Sequence, residues 1–62
     1  MCEANAYLIK NGKEELLMES VDILRPEDGG IYVQGIFGDQ RWVKARIKEM
    51  NLVDHRILLV ED

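Results

Sequence analysis

Turn signals recur at short intervals along this chain, and the stretches between them alternate apolar and polar side chains with a period of two. Asn11-Gly12 comes first; both central positions of a type I′ turn need positive φ, which makes Asn-Gly the strongest local hairpin signal. Arg25-Pro26-Glu27-Asp28-Gly29-Gly30 and Gly38-Asp39 follow; they combine a fixed-φ proline, acidic turn formers and permissive glycines. The intervening segments read as strands: Glu3 to Lys10, Lys13 to Glu19, Val21 to Leu24, Ile31 to Phe37, Gln40 to Lys48 and Arg56 to Glu61. In the fifth, Val43, Ala45 and Ile47 share one face and Trp42, Lys44, Arg46 and Lys48 the other. Glu49 to His55 reads as a connection whose Met50, Leu52 and Val53 tuck into the core. Good helix formers in Lys13 to Met18 and Lys44 to Met50 leave a helical turn open at either place. The pattern predicts an all-β fold, a small antiparallel β-barrel (SH3-like or Sm-like) of about six to seven short strands.

With 62 residues the chain has room for one domain, residues 1–62. So short a chain buries only about 60% of its unfolded surface and is marginal without help. The last strand supplies a reason to expect a partner: Ile57 and Leu59 point opposite to Leu58 and Val60, so it is apolar on both faces, and a homodimer would cover the second one. Twelve acidic against eight basic side chains give a net charge of −4, which disfavours a general nucleic-acid binder. The longest apolar run, Ile57 to Val60, is far short of the roughly 20 residues of a membrane helix. The N-terminal stretch has no basic or apolar leader pattern, and one cysteine makes no internal disulfide, so a reduced cytoplasmic protein is expected.

Catalytic groups are sparse. The chain has one His and one Cys, and it lacks a nucleophile elbow, a phosphate-binding glycine loop, Cys-x-x-Cys and His-Glu-x-x-His. The acidic pairs Glu14-Glu15 and Glu27-Asp28 read as solvated charge. A non-enzyme is therefore expected. Cys2 stands out because it adjoins the chain start. The amino group of Met1 with the amide nitrogen and thiolate of Cys2 would chelate an ion through five-membered rings. Such mixed N/S donors suit Ni(II) or Cu(II), and a second copy of Cys2 across a two-fold axis would complete the set. The competing reading makes Cys2 a small apolar residue on the face of Ala4, Ala6 and Leu8. His55, between Asp54 and Arg56, reads as an exposed turn residue with imidazole chemistry open to a metal. Met18 and Met50 read as core filling rather than thioether donors. Trp42, Lys44, Arg46 and Lys48 form the alternative, an RNA-binding face with one stacking ring and three cations; Trp42 reads equally as a dimer anchor.

Met1-Cys2-x-Ala4, Leu24-Arg25-Pro26, Gly30-Ile31-x-Val33, Ile36-Phe37-Gly38-Asp39 and Lys44 to Met50 with His55-x-Ile57-Leu58-Leu59 together resemble the CooT family over essentially the whole chain. The resemblance implies a small cytoplasmic homodimer of β-barrels associated with maturation of nickel carbon monoxide dehydrogenase. It implies one Ni(II) per dimer at the interface, with Cys2 as ligand and a nickel-enzyme client or maturation factor as partner. Relatives also carry an RNA-binding label, which keeps the Trp42 face as the alternative.

Overall fold

The architecture is that of a computed structural model describing residues 3–62. Six strands follow one another: β1 (Ala4–Lys10), β2 (Lys13–Glu27), β3 (Gly30–Gly35), β4 (Gln40–Val43), β5 (Ala45–Asn51) and β6 (Arg56–Glu61). They form one sheet in the order β4-β3-β2-β1-β6-β5. The all-β expectation holds, and neither segment rich in helix formers is helical.

Local chemistry explains the hairpins. Asn11 (φ 51°) and Gly12 (φ 78°) both adopt the left-handed conformation that a two-residue primed turn requires, and they join β1 to β2 in antiparallel register with Lys10 opposite Lys13. Asp28 (φ 53°) and Gly29 (φ 78°) repeat the device between β2 and β3. Pro26, expected in the turn, lies within β2 opposite Ile31, on the stretch beyond β1, where a missing N–H is tolerated.

Two expected strands merge. Lys13 to Glu19 and Val21 to Leu24 are parts of the single 15-residue β2. Its first half pairs with β1 and its second half with β3. Register shifts between Ala4 and Ala6, between Ala6 and Tyr7, and between Val21 and Ile23, with Ser20 at φ 52°, are bulges that bend and twist the strand. One strand thereby serves both halves of a curled sheet.

The curl does not close, which corrects the barrel expectation. Gln40 to Lys48 is not one strand: the chain bends at Lys44 between β4 and β5. A single connecting residue is too short for a hairpin, which needs at least two. No ladder therefore runs from β4 to β5, and they end as opposite edges of the sheet. β5 instead pairs antiparallel with β6 and rests against β3. The sheet is also not wholly antiparallel. β6 lies parallel to β1, with Ala6 opposite Ile57 and Leu8 opposite Leu59.

The core sits inside the curl: Ala6, Leu8, Met18, Val21, Ile31, Val33, Ala45, Ile57 and Leu59, with Ala4, Leu17, Leu24 and Val43 packed around it. β6 occupies an inner position between β1 and β5, with Ile57 and Leu59 buried in the core. Its outward Leu58 and Val60 are half-buried beside Tyr7 and Ile9. The Arg56 guanidinium lies 4.6 Å over the Tyr7 ring, so the chain already covers part of that face itself. The expected core role of the β5–β6 connection fails: Met50, Leu52 and Val53 are 55%, 69% and 88% exposed.

Candidate metal centre

Met1 and Cys2, the expected ligands, lie outside the described residues. The structure defines the strand that leads to them. Ala4 pairs with Val21 of β2. Asn5 donates its backbone N–H to the carbonyl of His55 at 2.8 Å, and its side-chain oxygen accepts the N–H of Ser20 at 3.1 Å. The start of β1 is thus tied to the kink of β2 on one side and to the turn before β6 on the other. A short polar side chain at position 5 satisfies the N–H that the Ser20 bulge takes out of the ladder.

His55 is distant from Cys2 in sequence, and the parallel pairing of β1 with β6 reverses that. Because the two strands start at the same end of the sheet, the backbone of His55 lies beside that of Asn5. The residue is exposed and left-handed, φ 58°, a conformation in which His is enriched among non-glycine residues. Its turn is braced: Asn51 Oδ1 accepts the N–H of Asp54 at 3.1 Å, and Asn51 Nδ2 donates to Asp54 Oδ2 at 3.1 Å. Arg56 pairs with Glu14. The hydrogen bond it donates to that carboxylate raises the guanidinium pKa, against a smaller opposing effect of desolvation. Among the described residues no three His, Cys, Asp or Glu side chains converge to hold a metal.

The basic run is divided. Trp42 lies on β4, while Arg46 and Lys48 lie on β5 beyond the Lys44 bend, so the four residues do not line one strand face as expected. Trp42 is engaged within the fold. Its Nε1–H donates to the Glu27 carbonyl at 2.8 Å, and its ring packs on Gly30, where an added Cβ would come within 2.5 Å of Cζ2. Arg46 pairs with Asp62 at 3.2 Å. Of the methionines, Met18 fills the core as expected and Met50 does not. An open groove of about 420 Å³ beside β2 is lined by Leu16, Leu17, Met18, Glu19, Ser20, Phe37 and Asp39.

A curled single sheet with grooves open to solvent, and a first strand tied at Asn5 to β2 and to the turn before β6, define a small all-β module. The chain belongs to the CooT family: the family described as CO dehydrogenase accessory protein CooT matches it over residues 1–60. A crystal structure assigned to CooT from Carboxydothermus hydrogenoformans is 48% identical, with a TM-score of 0.90 over 98% of each chain. No curated protein matches. Among the described residues no helix is long and apolar enough to cross a membrane.

Proposed function

We propose that this protein is a non-catalytic, cytoplasmic nickel carrier serving the maturation of a nickel enzyme such as carbon monoxide dehydrogenase. Membership of a CO dehydrogenase accessory family supports the client class. The cargo is read from Cys2 next to the chain start, the observation that carries the proposal. A thiolate with amine and amide nitrogens suits Ni(II), and cargo must be held by few enough donors to be released. One chain supplies a single Cys2 sulfur and the nitrogens of Met1 and Cys2, so one Ni(II) is shared by a homodimer. Asn5 supports this reading by anchoring the strand that leads to the ligands on both sides, which limits the entropy lost when the ion is gripped.

The test is a Ni(II) titration of the wild type and Cys2→Ser, with sedimentation to count protomers. Thiolate-to-nickel charge-transfer absorption should grow to one ion per two chains in the wild type and be absent from the variant. Equal affinity and equal spectra would discard the site.

A further inference from the structure

We infer that the groove beside β2 is a docking site for a basic segment of another protein, one of whose arginine or lysine side chains lies on Phe37 and meets Glu19 and Asp39. The inference goes beyond the nickel reading and needs neither Met1 nor Cys2. Phe37 is 88% exposed and Leu16 53%, and both line the same groove. The ring does not stand in water because its loop is loose. The Gly38 N–H donates to the Gly35 carbonyl at 3.0 Å, the Gly35 N–H to the Asp39 carbonyl at 2.9 Å, and the Ile36 N–H to the Ser20 carbonyl at 3.0 Å. Gly38, at φ 89°, supplies the left-handed step of this turn. An aromatic side chain held out by so braced a backbone loses little freedom when it is covered, which is the quality of an interface anchor.

Charge selects the occupant. Glu19 and Asp39 line the groove with Phe37, and no cation does. Among the described residues the acids held in ion pairs are Glu14, Glu27, Glu61 and Asp62, so neither groove carboxylate has a counter-charge within the fold. Carboxylates at the rim of an apolar floor suit a side chain with an aliphatic stem and a cationic head. The stem covers Leu16 and Phe37 while the head meets the carboxylates, and a guanidinium also stacks on the ring. A neutral or acidic segment would expel water from the two carboxylates and return nothing for it.

The test is a nuclear magnetic resonance titration of the full chain with synthetic peptides that share a central Leu-Phe-Leu and are flanked by arginine and lysine, by serine or by glutamate. At about 0.15 M salt the basic peptide should shift the amides of residues 16–20 and 35–39 and bind at least about tenfold tighter than the serine peptide. Phe37→Ser should weaken the basic peptide at least about tenfold. Glu19→Gln combined with Asp39→Asn should bring it within about twofold of the serine peptide. All three positions are exposed, so an unchanged spectrum away from the groove verifies the fold of each variant. Absence of binding by the basic peptide, equal affinity for the three peptides, or full affinity in Phe37→Ser overturns the inference. So do shifts spread over every acidic strand, which would mean attraction to net charge alone, and a sedimentation dimer that Phe37→Ser dissociates, which would mean that a second copy covers the groove. Ni(II) binding by Phe37→Ser should equal that of the wild type, so the nickel reading stands or falls separately.

Discussion

Leu59 and Val33 are completely enclosed by the curled sheet, and each owes its place to the period-two alternation of its strand. In so small a core a cavity has few neighbours able to collapse into it. Leu59→Ala should therefore cost about 2–5 kcal/mol, measured by urea unfolding with Trp42 fluorescence as the probe. Val53→Ala, at a position 88% exposed, should stay within about 0.5 kcal/mol of wild type. The same contrast marks how far single residues could be read beforehand. Ala4, Ala6 and Leu8 share the inward face that alternation assigns them, and Val43 and Ala45 also face in. Met50, Leu52 and Val53 are equally apolar but stand outside, because hydrophobicity shows what favours burial and not whether a surface is there to receive it. His55 belongs with them: nothing within several residues of it announces Asn5 as its neighbour.

Elements follow local rules where a turn governs them and depart where long-range pairing does. The Asn11-Gly12 hairpin was legible because its geometry is set by two residues. The unity of β2 was not, since Ser20 looks like a break and acts as a bulge held by the Asn5 side chain. The β2–β3 hairpin carries a sharp test. Gly30 faces the Trp42 ring and the Val43 carbonyl, and a Cβ there would stand 2.5 Å from Cζ2. Gly30→Ala should push the indole outward and break its bond to Glu27. The expected results are a red-shifted Trp42 emission and a loss of about 1–3 kcal/mol. Unchanged emission and stability would show that β4 is not packed on the hairpin in this way.

At the scale of the molecule, β6 links the pieces, since it lies between β1 and β5. Without residues 56–62, β5 has no ladder partner and β1 loses one of its two. A 62-residue chain has no second core to fall back on. That truncation should abolish the cooperative unfolding transition and the strand signal in circular dichroism, whereas removing Asp62 alone, with its Arg46 ion pair and Lys44 backbone bond, should leave both in place. The sequence by itself determined the strand class, the Asn11-Gly12 primed turn, the inward face of Ala4, Ala6 and Leu8 and the singular position of Cys2, because alternation and turn chemistry depend on residues within a few positions of one another. Tertiary structure alone decided that β6 runs parallel to β1, that the curl stays open at Lys44 and that His55 borders Asn5. Partner choice among strands is settled by burial and hydrogen bonds closed across some fifty residues, and a local pattern carries no record of its partner.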